Sequence, residues 1–265
     1  MNTTIREKIR NGFNLDLGKL IEDCFEIYKK IFLIGGLGFL LVSIFGILFY
    51  GFLVAMLYGV SDIAEWAMKM EAMQHEIRFI IGNIIMTVFF AALIAPLNAG
   101  FLKLCFLSKR NQELKLGVVF DYYKSKYLKD IIIGSVIIAL TSTTFISAIK
   151  VFPFSSFTIF LNLIGVLIQI LVSLFTILFI PLVIFGNQNY TDAIQNSIKL
   201  TAKKPFHIIL ALVIAVIGAF LGLIGFCIGV FFTMPLYVAM IFSIYDNIVG
   251  VEEYNVLDEI GRNEE

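Results

Sequence analysis

Two histidines and three cysteines are the side chains in this sequence best suited to hold a metal or to act as a base or nucleophile. His75 and His207 are far apart, and two histidines cannot supply a three-histidine zinc site. Cys24, Cys105 and Cys227 are just as scattered, with no CxxC pair and no Cys/His cluster, so they read as isolated reduced or buried thiols. No HExxH, GxSxG, P-loop or GxGxxG pattern occurs. Ionisable residues inside a membrane span ordinarily mark an ion or proton path. Here the long apolar runs have no Asp, Glu, Lys or Arg at their centres, and Asp246 stands at the end of the last one. With no acid, base, nucleophile or ligand set, the sequence points away from an enzyme and assigns no catalytic, cofactor-binding or metal residue. The uncharged polar residues in the runs are Thr141, Ser142, Thr143, Thr144, Asn162, Gln169, Ser173 and Thr176. They would line a polar cavity, or bond to neighbouring helices or to the carbonyls four residues back.

These residues must be positioned by membrane helices. The 265-residue chain is 59% hydrophobic and 15% charged; ordinary soluble domains are about 45–50% apolar and about 25% charged. The apolar excess is gathered into runs at 31–60, 79–99, 131–148, 157–186 and 206–245. The last run is about twice the ~20 residues one crossing needs. With glycines at 218, 222, 225 and 229 it reads as two helices joined by a turn near 222–225, or as one re-entrant hairpin. Six spans result. The single Trp66 leaves Tyr and Phe to form any interface belt. The N-terminal stretch has no apolar core, so the first run is expected to stay as an anchor rather than be cleaved.

Most basic residues precede span one, lie between spans two and three, or lie between spans four and five, whereas the opposite loops hold Lys69, Arg78 and Lys150. The positive-inside rule then places both termini in the cytoplasm of a bacterial inner membrane. Twenty acidic residues balance twenty basic ones, which gives no pull toward nucleic acid.

"LDLGKLIEDCFEIYKKIFLIGG" from Leu15 recurs as "LKLGVVFDYYKSKYLKDIIIG" from Leu114, with Leu15, Leu17, Gly18, Tyr28 and Gly35 matched by Leu114, Leu116, Gly117, Tyr127 and Gly134. A looser copy, "YTDAIQNSIKLTAKKPFHII", starts at Tyr190. Each even-numbered span carries a Pro-Leu pair, at Pro96, Pro181 and Pro235. The expected fold is all-α: one membrane domain, 1–249, of three repeats at about 14–109, 113–187 and 188–249, followed by an acidic cytoplasmic tail at 250–265. Each repeat is an amphipathic surface helix plus a transmembrane hairpin, with a proline kink in the even-numbered span. Proline is tolerated there where neighbours satisfy the carbonyl it frees. The kinks either help packing or act as hinges. Gly218/Gly222 and Gly225/Gly229 pair small residues on one face, as close helix packing requires.

The surface helices are read from their stripes. Leu17, Leu20, Ile21, Cys24, Phe25, Tyr28 and Phe32 form the first, capped by Asp16. Leu116, Val119, Phe120, Tyr123 and Tyr127 form the second. Ala193, Ile194, Ser197, Ile198 and Thr201 form the third, with Thr191 as cap. Lying apolar side down in the interface, they would bring Lys29, Lys30, Lys124, Lys126, Lys129, Lys203 and Lys204 to anionic headgroups.

The stretches "FNLDLGKLIEDCFEIYKKIF" and "YTDAIQNSIKLTAKKPFHIIL", the glycine-rich hairpin, Met-Pro-Leu and "YDN" together resemble a broad set of uncharacterised bacterial multi-pass membrane proteins. These look similar to the membrane domain fused to some glycerophosphodiester phosphodiesterases. The hydrolase half of such fusions is not in this sequence, so the resemblance implies no phosphodiesterase activity. The leading expectation is a non-enzymatic inner-membrane protein, without a cofactor, whose surface helices meet lipid or a partner protein. The alternative is a transporter, channel or lipid-moving protein gated by the kinked helices. A polar groove inside the bundle favours the alternative; a dry, glycine-packed interior favours the former.

Overall fold

A computed structural model describes residues 2–59, 62–73, 75–150, 158–223 and 228–251. Among them every regular element is helical: α1 (Asn2–Asn11), α2 (Leu17–Tyr58), α3 (Ile63–Met73), α4 (Ile77–Lys109), a 3₁₀ helix (Leu116–Lys124), α5 (Leu128–Lys150), α6 (Thr158–Phe175), α7 (Phe179–Ile184), α8 (Tyr190–Thr201), α9 (Pro205–Leu221), α10 (Gly229–Thr233) and α11 (Pro235–Ile248). Among the described residues five segments are long and apolar enough to cross a membrane: Leu17–Met56, Ile77–Lys109, Leu128–Ala148, Phe160–Ile184 and Gly229–Ile248. A sixth is added if α8 and α9, bent by 97° to one another, count as one broken span. At 1.5 Å per residue the 17 residues of α9 reach about 25 Å, a little short of the ~30 Å hydrocarbon core. Gly225, Cys227 and nearly all of the expected tail lie outside the described residues.

The two ends of the bundle differ in what they hold. Asn247 Nδ2 donates to Asp23 Oδ2 at 2.9 Å, and Lys109 pairs with Asp246. The start of α2, the end of α4 and the end of α11 therefore share one end, here termed the basic end. A further pair, Lys103 to Asp121 at 3.0 Å, ties α4 to the 3₁₀ helix there.

The surface segments depart from expectation in three ways. The first is not a separate helix: it runs without a break into span one as the 42-residue α2. Asp16 does cap it, accepting from Gly18 N at 2.8 Å and Lys19 N at 3.3 Å. The second is a 3₁₀ helix rather than an α-helix. Its period of three puts Leu116, Val119 and Tyr122 on one face. Val119 and Tyr122 are accordingly buried, and Phe120, expected in the stripe, is 52% exposed. The third, α8, is a separate α-helix, but its cap is Asn189, whose side chain accepts from Asp192 N, and not Thr191. In each segment the buried stripe faces the protein: Leu20, Cys24, Ile27 and Ile31; Val119 and Tyr122; Ala193, Ser197, Leu200 and Thr201. Part of each apolar face is thus covered by the bundle, while Phe25, Phe32, Phe120 and Ile198 stay exposed. Helix α1 was not expected; it fixes fully buried Ile5 in the core and packs along α8.

The prolines sit in three different contexts. Helix α4 continues through Pro96. Span four is interrupted by a turn at 176–178 ahead of Pro181 in α7. Pro235 begins α11 directly after Met234, at a first-turn position that needs no N–H.

Candidate functional site at the three prolines

A cavity of about 440 Å³ lies where the Pro-Leu segments meet. Ala95 and Asn98 reach it from either side of Pro96, Ile177 and Ile180 from the turn of Pro181 with Pro181 itself, and Met234, Tyr237 and Val238 from around Pro235. Phe39 of α2 and Ser135 and Ile138 of α5 complete the wall. Its polar groups are Asn98, Ser135, Ser173, Thr176 and Tyr237. The Thr176 hydroxyl is spent on Val172 O, four residues back, at 2.7 Å. The side chains of Asn98, Ser135, Ser173 and Tyr237 have no hydrogen-bond partner among the described residues. Asn98 and Ser173 are exposed and Ser135 and Tyr237 half-buried, so the four groups face the open space of the cavity. A largely apolar space of this volume with a few unpaired polar groups is the usual form of a small-molecule site.

Side chains from the surface segments bond backbone close to the prolines, though at none of the three the i−4 carbonyl itself. Proline i has no N–H for the carbonyl of residue i−4, and its ring strains the preceding turn. Tyr123 in the 3₁₀ helix donates to Leu93 O, three residues before Pro96. Tyr28 in α2 donates to Phe232 O at 3.3 Å, three residues before Pro235, and Cys24 Sγ donates to Leu236 O at 3.7 Å. Ser197 in α8 bridges the interrupted span, accepting from Leu178 N at 3.2 Å and donating to Phe175 O at 2.8 Å. Burial raises the Tyr123 phenol above its ordinary value of 10.0, so its hydroxyl keeps the proton it donates.

Glycines close the seams beside the cavity. A side chain at Gly35 would press on the Pro235 ring, at 3.1 Å, and one at Gly36 on Phe232. Gly222 and Gly229 abut backbone to backbone, and Gly218 faces Leu236. Pro96, Pro181 and Pro235 are thus brought together, with Gly218, Gly222 and Gly229 along the adjoining α9 seam. The lysines are not gathered into one site. Lys30 bonds Glu26 Oε1 at 3.1 Å and Asn111 Oδ1 at 2.9 Å, Lys126 lies 4.8 Å from the centre of the Tyr127 ring, and Lys29, Lys124, Lys129 and Lys203 are exposed. Lys204 is half-buried and caps α9.

A second cleft, at the basic end, is lined by Lys19, Asp23, Glu26, Lys109, Asp246 and Asn247. Lys109 pairs with Asp246, Asn247 donates to Asp23, and Asp246 Oδ1 also accepts from Val251 N at 3.1 Å, so these groups clasp the helix ends. Among the described residues no group of three His, Cys, Asp or Glu side chains is placed to hold a metal ion.

Of the polar residues read from the sequence, Thr141 and Ser142 bond the carbonyls four residues back at 2.8 and 3.0 Å, and Thr143 does the same. Ser173 and Thr176 reach the cavity. Asn98, Ser135 and Tyr237 were missed. Asn98 and Tyr237 each stand two residues after a proline, a spacing visible in "PLN" and "PLY". No protein-family model matches the chain, nor does any curated protein or solved structure.

Proposed function

We propose that this is a non-enzymatic, multi-pass protein of a bacterial inner membrane that takes a membrane lipid into the cavity at its prolines. The observation that carries this reading is the cavity itself: about 440 Å³ of mainly apolar space between membrane-spanning helices, with four polar side chains left unpaired. An amphiphile supplies both an apolar chain for the walls and polar atoms for Asn98, Ser135 and Tyr237. The lipid-moving alternative is therefore preferred to a scaffold, which needs no such cavity. Docking to a partner or to anionic headgroups is kept as a second reading, because Lys29, Lys124, Lys126, Lys129 and Lys203 are exposed at the basic end.

Six crossings, both termini cytoplasmic, three repeats and a proline kink in each even-numbered span belong to the same proposal. Three observations support them. The described ends of the chain meet at one end of the bundle, as an even number of crossings requires. Cys24, Tyr123 and Ser197, at matched places in the three surface segments, each donate to a backbone carbonyl of a proline-bearing span. The prolines also converge on one cavity. The resemblance to the membrane domain of phosphodiesterase fusions is retained on the same footing.

Native mass spectrometry of the protein released from its own membranes tests the function. A retained phospholipid, displaced when the cavity is filled by Ala139→Trp, is the expected result. A bare chain, or one carrying another protein, removes lipid binding and leaves the docking reading. For topology, cysteines placed next to Lys69 and next to Lys126 are expected to label from opposite sides. Labelling from one side would end the six-span reading.

A further inference from the structure

We infer that the gap between α6 and α9 is the lateral entrance by which a bilayer phospholipid reaches the cavity; this rests on the function proposed above. If the repeats are equivalent, each odd-numbered span packs against the span that precedes it around the ring. Span one does so against span six, through α2 and α11, and span three does so against span two, through α5 and α4. The third seam of this set joins span five to span four, and it is open: α6 and α9 are not among the closely packed pairs. A groove of about 430 Å³ separates them, lined by Val166, Gln169 and Ser173 of α6 and by Leu212, Val213 and Val216 of α9.

The residue types explain the difference. The α2–α11 seam is closed by Gly35 and Gly36, which lie against Pro235 and Phe232 with no room for a side chain. The open seam has branched side chains on both walls, which hold the helices apart. Two further features fit a lipid passing through. Ser173 lines both the groove and the cavity, so the two spaces adjoin. Gln169 carries an amide into the groove and has no hydrogen-bond partner among the described residues. An unpaired amide at membrane depth is costly. The ester and headgroup oxygens of a lipid on its way inward would accept from it. The groove lies along a span of mean hydropathy 2.8, so bilayer lipid is what bathes it.

The test closes the groove and times the filling of the cavity. In a Cys227→Ser, Trp66→Phe background, Ile138→Trp reports from the cavity wall, and Val166→Cys with Val213→Cys allows a short bismaleimide bridge across the groove. Buried Cys24 and Cys105 are shielded from the reagent. The purified chain is mixed with vesicles of phospholipid brominated on its acyl chains, and quenching of the tryptophan is followed. Bridging is expected to slow quenching by about tenfold or more, within the range over which association rates vary among related variants. The two single-cysteine chains, treated alike, should keep the unbridged rate. An unchanged rate after bridging overturns the entrance and leaves the cavity reading standing. No quenching in any chain overturns both. Bridging between two chains instead of within one makes the groove an interface between copies and overturns the entrance.

Discussion

Phe45 and Phe52 in the second half of α2 are 74% and 63% exposed, whereas Phe101 in α4 and Phe242 in α11 are 3% and 0% exposed. The first pair lies toward the end opposite the basic one and the second pair near the basic end. The same contrast runs along the spans that carry Pro96, Pro181 and Pro235. In α4 the buried residues before position 95 are Phe79 and Ile80, while most residues from Ala95 to Ser108 are buried. In span four, burial becomes nearly continuous from Leu178. In the last span α10 has no buried residue, and α11, beginning at Pro235, is largely buried. Pro96, Pro181 and Pro235 therefore each stand at the border between a loosely packed half and a dense one, and the cavity lies at that border. A bend at each proline, as proposed, would let the helices part on one side of it while staying packed on the other. The apolar surface of the open half is a cost in water and none in lipid.

The sharpest way to break this contrast is with glycines. A methyl group at Gly100 would collide with the Val119 carbonyl, a backbone group that cannot step aside. Gly100→Ala is expected to lower stability by about 3 kcal/mol, the upper part of the overpacking range, measured by unfolding of the purified protein in mixed micelles. Gly46→Ala, in the open half of α2, meets nothing within 4 Å. It is expected to be neutral or to stabilise by up to about 1 kcal/mol, because alanine is the better helix former. Similar losses at both positions would erase the distinction between the halves.

Ser197→Ala sharpens the account of the border itself. It strips Leu178 N and Phe175 O of their partner and is expected to cost about 1–3 kcal/mol in the same unfolding measurement. Thr141→Ala removes a hydroxyl bonded to its own helix and should change stability by less than about 0.6 kcal/mol. Lys109→Ala gives the smallest effect at the dense end. Lys109 is 47% exposed, so the loss of its pair with Asp246 should be below about 1 kcal/mol and shrink as salt is added.

Apolar runs carried the helical membrane class in the sequence, because a hydrocarbon solvent demands long uncharged segments. Asp16 as a cap was legible for the same local reason: a carboxylate just ahead of a periodic apolar stripe. The burial of the stripes was not. A stripe such as Leu20, Cys24, Ile27 and Ile31 says that one face is apolar and is silent on whether lipid or protein covers it. The 3₁₀ segment escaped because Leu116, Val119, Phe120 and Tyr123 fit a period of 3.6 as well as Leu116, Val119 and Tyr122 fit a period of three. Of the site, the prolines were legible and the polar residues of the cavity mostly were not. Asn98 and Tyr237 are single residues in apolar stretches, and which face they occupy depends on how three distant spans converge. Helix α1 escaped too, since Ile5 and Ile9 are too few to announce an amphipathic helix.

Electron cryomicroscopy of the protein in lipid nanodiscs, made larger by a bound antibody fragment, tests the central claim most directly. The expected result is chain-like density, not belonging to the protein, between Ile138, Ile177 and Ile241, with a polar group against Asn98 or Tyr237. Side chains from α4, α5 and α11 closed onto one another, with no space left between the prolines, would contradict it.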